Sequence, residues 1–285
     1  MPSNSDPSAS LRAQIEHIET ESGAKAVAVA VHDTETDLDF RHHADRWFHA
    51  ASTIKVPILL GVFDAVDRGT LLPHSRVHVR NLFHSAVEGV PFRVESDRDA
   101  NSSVHAAIGK VLRVEELAHH MIATSSNLAT NLLLDLVGVE AVQKTLRDLN
   151  VAEGVEIKRG VEDELAFEQG IYSRVTAAGL LRILLLLAEG KAFSPTLSHK
   201  MMEILHAQEF NKGIPARLPK GTRVAHKTGD ISTVAHDAGV VYLADRKPYV
   251  LVILTEWDAD ASGRSQAIAA ISHAVYEILT GPEKE

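Results

Sequence analysis

Apolar and polar residues recur along this chain at recognisable periods, and the period changes twice. Leu11, Ile15 and Ile18 fall at helical spacing and predict a short amphipathic helix over residues 11–22. Two strand-like runs follow at 24–32 and 37–43, joined by the turn-like Asp33-Thr34-Glu35-Thr36. From Ser52 to about Gly190 the pattern is helical, with apolar residues at helix spacing in 115–122, 127–137, 139–149 and 176–188. The last third returns to strands at 222–228, 238–244 and 249–256, and closes with a helix near 262–279. Asp245-Arg246-Lys247-Pro248 supplies the turn between the last two strands.

Strands at both ends of a helical middle predict an α/β fold of the α+β sandwich kind. One mostly antiparallel sheet is assembled from both chain ends, flanked by terminal helices, with an all-helical lobe inserted between them. In residue terms, 1–10 is expected to be a disordered N-terminal segment and 11–285 a single domain. Its α/β lobe would comprise 11–50 and 195–285, and its helical lobe 51–194.

Composition narrows the partners. With 45% hydrophobic and 24% charged residues, the 285-residue chain has the make-up of an ordinary globular protein. A formal charge of −9 with no clustered basic face argues against nucleic-acid binding. The absence of cysteine excludes disulfides, thiol nucleophiles and thiolate metal sites. The longest apolar stretch, 179–188, is interrupted by Arg182 and too short to span a bilayer, so no membrane insertion is expected. The first ten residues lack a charged-then-apolar leader pattern, which reads as cytoplasmic, or as periplasmic or secreted if a leader has been removed. A monomer is expected.

Three short motifs carry candidate chemistry. In Ser52-Thr53-Ile54-Lys55, a helix opening at Ser52 would put Lys55 one turn on, on the same face. A serine hydroxyl needs a neighbouring base, and a lysine whose pKa is depressed by burial can be one. The apolar run 56–60 offers that burial, although Pro57 deletes a backbone donor early in the helix. The same residues also fit a serine N-cap followed by a solvated lysine. Ser125-Ser126-Asn127 interrupts an otherwise apolar segment, and Ser125 or Ser126 also fits as the N-cap of the next helix. Lys227-Thr228-Gly229 closes a strand, where a cation, a hydroxyl and a glycine could bind a carboxylate and let a substrate approach closely. A charged edge strand ending in a turn would look the same.

Taken in order, Ser-x-x-Lys, Ser-x-Asn and Lys-Thr-Gly resemble the motif set of class A β-lactamases and penicillin-binding proteins. Phe48 ahead of Ser52, Asn131 with its leucines after the second motif, and the closing helix agree with that resemblance over about residues 11–279. It implies a β-lactamase/transpeptidase-like fold and a serine acyl-enzyme hydrolase that opens the β-lactam amide. By the same resemblance, Ser52 is the nucleophile, Lys55 takes and returns its proton, and Ser125 relays a proton to the departing nitrogen. Asn127 would bind the substrate's side-chain amide, and Lys227 and Thr228 its carboxylate, beside Gly229. The N–H groups of Ser52 and Asp230 would form the oxyanion hole. Family VIII esterases, class C β-lactamases and related glutaminases place a tyrosine near the serine, where this chain has Ser125, which favours the class A branch.

The departures are specific. Ser126 stands where the family usually has aspartate. In the stretch Glu162-Asp163-Glu164-Leu165-Ala166, Glu162 matches the family's base for the deacylating water, but Ala166 replaces the asparagine that shares that water. A register shifted by one would make Asp163 the acid, and an exposed acidic loop is a third reading. The loop from Leu165 to Thr176 is shorter than usual. Slow deacylation is therefore expected. The alternatives are a penicillin-binding protein, peptidase or esterase of the same fold, or a sensor that is acylated without turnover. The sixteen histidines include the adjacent pairs His42-His43 and His119-His120, whose side chains diverge, so no metal and no cofactor is expected.

Overall fold

In the computed structural model, which describes residues 7–281, the chain begins with helix α1 (Pro7–Ser22) and strands β1 (Ala26–Asp33) and β2 (Asp39–His42). The middle comprises β3 (Phe48–His49), a 3-10 turn at Ala51–Ile54, α2 (Lys55–Asp67), β4 (Arg76–His78), β5 (Phe83–His84), β6 (Pro91–Phe92), α3 (Ser102–His105) and β7 (Val111–Arg113). It continues through α4 (Val114–Ala123), α5 (Asn127–Val137), α6 (Val139–Asp148), β8 (Val155–Glu156), α7 (Glu164–Glu168), β9 (Arg174–Val175) and α8 (Ala177–Ala188). Then come α9 (Pro195–His206), β10 (Arg223–Ile231), β11 (Val234–Tyr242), β12 (Tyr249–Glu256) and α10 (Arg264–Thr280).

The expected sheet is present. Five strands in the order β10-β11-β12-β1-β2 pair antiparallel throughout, and the two chain ends meet where Ala26 faces Glu256 and Asp33 faces Tyr249. The two faces of β1 differ by residue size. Ala26, Ala28 and Ala30 turn toward the helical body, whereas Val27, Val29 and Val31 turn toward α1 and α10. This is the period-two alternation of a strand buried on both sides. The small alanines leave room for α8 to lie on the sheet, while Leu11 and Ile15 of α1 close the opposite core.

Two boundaries differ from the sequence reading for local reasons. Helix α1 begins at Pro7, since proline is tolerated in a first helical turn, so it takes in residues 7–10 of the segment read as disordered. Residues 1–6 lie outside the described part. Ser52 does not open an α-helix: it sits in the 3-10 turn, and α2 proper starts at Lys55. Pro57 is thereby the third residue of the helix, in the turn whose N–H groups lack intrahelical acceptors, so its missing donor costs no ladder bond.

The sequence pattern also overlooked α9 and the small sheets. Ser194 caps α9 by accepting from Leu197 N, and Met201 and Leu205 bury one face of the helix. The strands β3, β9 and β8 form a three-stranded strip that pins the segment just ahead of Ser52, through the pairs Phe48–Val175 and His49–Arg174.

The close seat of α8 rests on Gly179, where an added Cβ would lie 2.5 Å from the carbonyl oxygen of Gly154 and 2.9 Å from that of Glu153. Both are backbone atoms that cannot rotate aside. Gly179→Ala is expected to destabilise the protein by about 1–3 kcal/mol in chemical denaturation. It should do so although alanine is the better helix former by about 1 kcal/mol. An unchanged denaturation midpoint would contradict this packing.

Candidate functional site

The first motif is held in place from the sheet side. His236 of β11 donates from Nε2 to the carbonyl of His49 (2.9 Å) and accepts at Nδ1 from Thr255 N (3.1 Å). Those two bonds fix the tautomer of a neutral ring, and burial pushes its pKa down to about 4. His49 in turn accepts at Nδ1 from Ala51 N (3.0 Å). Ala51 itself has φ +44°, a conformation costly for a residue with a Cβ, so the turn presenting Ser52 is over-determined by its surroundings. In a 3-10 turn, residues three apart eclipse each other, which aligns Ser52 with Lys55.

Lys55 is wholly buried, yet its ammonium hydrogens all find acceptors. Nζ donates to Ser125 O (2.7 Å), Ser125 Oγ (3.1 Å) and Asn127 Oδ1 (2.8 Å). Burial pushes its pKa down to about 7, against the opposing charges of Asp99 and Glu162. The second motif reaches the lysine through another strained residue, Ser125 at φ +57°. Ser126 caps α5 by accepting from Ala129 N, so the capping role and placement beside Lys55 coexist in one tripeptide.

Asn127 extends the chain of contacts. Its Nδ2 donates to Glu162 Oε1 (2.5 Å), and the other carboxylate oxygen of Glu162 accepts from Glu95 N (3.2 Å). Glu162 has φ +60°, and the backbone just before it is gripped by Asn131, which exchanges two hydrogen bonds with Val161 (2.8 and 2.9 Å). Asp163 faces elsewhere. It accepts from Ser85 Oγ (2.7 Å), Ala86 N (2.8 Å) and Ala166 N (3.2 Å), capping α7 and tying it to the loop beside β5. Ala166 is buried and does not line the groove at Ser52.

The third motif forms the opposite wall. Lys227 is buried and donates to Thr228 O (2.9 Å), and among the described residues no carboxylate comes within ion-pair distance of it. Its pKa is pushed well down by burial and by the charge of Lys55, with Asp237 opposing. Behind the strand, Asp237 accepts from His226 (2.8 Å) and Ile214 N (2.8 Å). Gly229 allows the close approach of β10: a Cβ there would lie 3.1 Å from Ser52 N. Asp230 pairs with Arg264 of α10 (2.9 Å) at the rim.

Ser52, Asn127 and Asp230 line both lobes of one groove, about 550 and 760 Å³, with Ser125 and Thr228 in the first and Glu162 in the second. The structure thus brings together every residue singled out from the three motifs, adds Glu162, and leaves Ala166 outside; Asp163 borders the second lobe, but its carboxylate is taken up by Ser85, Ala86 and Ala166. Sequence reasoning missed Asp99, Glu95 and Ser85, which belong to no motif and come from the loop around β6. Among the described residues, no cluster of three or more His, Asp or Glu could hold a metal ion, and no helix is long and apolar enough to cross a membrane.

A serine and a buried lysine thus lie at the seam between an antiparallel sheet and a helical body, facing a second lysine on the edge strand. The model of the Beta-lactamase enzyme family matches residues 10–279, and the chain belongs to that family. It is 26% identical over 261 residues to β-lactamase ROB-1 of Haemophilus influenzae, covering 89% of this chain and 79% of that protein. Among solved structures, a β-lactamase from Sphaerobacter thermophilus superposes with TM-score 0.79 at 26% identity, covering 96% of this chain and 99% of the other. PBP-A superposes with TM-score 0.80 at 25% identity, covering 94% and 95%.

The contrast between Glu162 and Asp163 is testable without a substrate. Asp163→Ala leaves three donors without their acceptor and is expected to cost roughly 1–3 kcal/mol of stability. Glu162→Gln, which keeps an acceptor for Glu95 N, should melt close to the parent temperature. Equal losses in thermal melting would contradict the assignment of Asp163 as the structural acid.

Proposed function

We propose that the protein is a serine acyl-enzyme hydrolase of β-lactams, of class A type, with slow deacylation. The observation that carries this reading is the buried Lys55, poised near neutrality between the nucleophile's turn and Ser125. In its neutral form Lys55 accepts the proton of Ser52 as Oγ attacks the lactam carbonyl carbon. The N–H groups of Ser52 and Asp230 stabilise the resulting oxyanion. The C–N bond then breaks, Ser125 donates its hydroxyl proton to the departing nitrogen, and Lys55 restores that proton. Lys227, with no carboxylate of its own, and Thr228 bind the substrate carboxylate, whose negative charge opposes the burial that pushes the Lys227 pKa down and so favours its ammonium form.

Hydrolysis of the ester calls for a water activated by Glu162, which takes a proton from it and returns one to Ser52 Oγ. Asp163 is the weaker candidate for that base, since its carboxylate is saturated by structural donors. With Ala166 withdrawn from the groove, Glu162 holds this water without an asparagine partner, and the acyl-enzyme persists. The same feature favours a second reading, a penicillin-binding enzyme that scarcely turns over. The likeness to PBP-A supports it, one form of which has been solved as an acyl-enzyme complex with penicillin G.

A fluorescent penicillin is expected to label the protein through denaturation, and Ser52→Ala is expected to take no label. With a chromogenic β-lactam, product should appear as a burst of one equivalent per site, then a slow steady state. Glu162→Gln should lengthen the acyl-enzyme lifetime by roughly 10²-fold or more, as followed by intact-protein mass. Label retained by Ser52→Ala would refute the nucleophile. A lifetime untouched by Glu162→Gln would refute the base.

A further inference from the structure

The second motif lacks the carboxylate usual at its middle position, yet a carboxylate is there. Asp99, from the loop between β6 and α3, is buried against the start of α5. Its Oδ1 accepts from Asn127 N (3.0 Å) and Asn101 N (3.3 Å), and its Oδ2 accepts from Ser126 Oγ (3.1 Å) and Leu128 N (3.0 Å). His105 Nε2 lies 3.2 Å away. The first two helical N–H groups of α5 therefore go to Asp99, and the third, of Ala129, goes to Ser126 Oγ. That serine hydroxyl spends its own hydrogen on Asp99.

We propose that Asp99 is the positioning residue of the second motif, a carboxylate moved from the motif into a neighbouring loop, which holds Ser125 and Asn127 against Lys55.

Ser125 is held at φ +57°, in the left-handed region, and such a residue stays there only when its surroundings fix it. Asp99 binds the two residues that follow, Ser126 through its hydroxyl and Asn127 through its backbone N–H. The turn is thus locked with Ser125 O, Ser125 Oγ and Asn127 Oδ1 converging on Lys55 Nζ. The carboxylate also places a negative charge at an N-terminal helix turn, where it is favoured, within range of Lys55. Without it, four donors are stranded, the turn relaxes, and Ser125 leaves the line between the lysine and the departing nitrogen. The loss falls on acylation rather than on first binding, because Lys227 and Thr228 are on another element.

This inference rests on the proposed acylation of Ser52, so its test carries one readout that needs no substrate. Asp99→Asn is expected to lower the acylation rate constant for a fluorescent penicillin by about 10–100-fold, with the half-saturating concentration changed less than about threefold. The exchange of Asn127 and Leu128 amide hydrogens should accelerate at least tenfold. The double variant Asp99→Asn/Ser126→Asp, which returns the carboxylate to the motif, should recover acylation to within about threefold of the parent and slow that exchange again. A folded Asp99→Asn that is acylated at the parental rate overturns the proposal. So does a double variant that melts like the parent but remains tenfold slow, even where Asp99→Asn alone is too unstable to purify. If the parent takes no label while amide exchange behaves as stated, the acylation reading fails and the placement by Asp99 stands.

Discussion

Everything at this site depends on one burial: the side-chain nitrogen of Lys55 is removed from water and left with only uncharged acceptors in contact. Desolvation penalises the ammonium, and the nearest carboxylates, Asp99 and Glu162, act on it through space without touching it. A lysine so placed becomes neutral near physiological pH, which a surface lysine does not. The burial requires α2 to be apolar on all sides, and it is, from Val56 to Phe63. Such a helix must be enclosed by other elements, and α4, α5, α6 and α9 enclose it. The fold is in this sense the means of drying one amine.

The strain in the site has the same origin. Ala51, Ser125 and Glu162, three residues with side chains in the left-handed region, sit in the turn that presents Ser52, beside Lys55, and in the second lobe of the groove. Each is held by a residue distant in the chain: His236, acting through His49, for the first, Asp99 for the second, Asn131 for the third. Strained residues at a functional site survive only where the surroundings over-determine them. Here the holders are hydrogen bonds from both the sheet and the helical body, so the groove is rigid only when the two are assembled.

The elements built on a clear period were legible in the sequence. The unbroken apolar run in 249–256 and the apolar spacing of 127–137 coincide with β12 and α5, because a strand buried on both faces and a buried helix leave those traces. The three motifs were legible for a different reason, since each is local, and their order along the chain matched a known set. What was not legible is carried by contacts distant in sequence. Asp99 precedes Ser126 by 27 residues in a segment with no regular pattern, and nothing in its neighbours marks it as a partner of α5. Helix α9 was hidden because Ser198 interrupts its buried face, and because it lies beside a run of strands. The choice between Glu162 and Asp163 turned on side-chain direction, which two adjacent acids in a loop do not encode. It required seeing Asp163 saturated by Ser85 and Ala86.

The central claim is that Lys55 is neutral near pH 7 because the fold dries it, and one titration tests that claim directly. In protein carrying lysine labelled with carbon-13 at Cε, the resonance of Lys55, assigned by its absence in Lys55→Arg, is followed against pH. Because burial lowers the pKa, the ammonium persists only at acid pH and the free amine, the form that can accept the proton of Ser52, dominates above the midpoint. The account predicts a midpoint near about 7, while exposed lysines titrate about three pH units higher, near their ordinary value. A Lys55 resonance that remains that of an ammonium to pH 9 would contradict it.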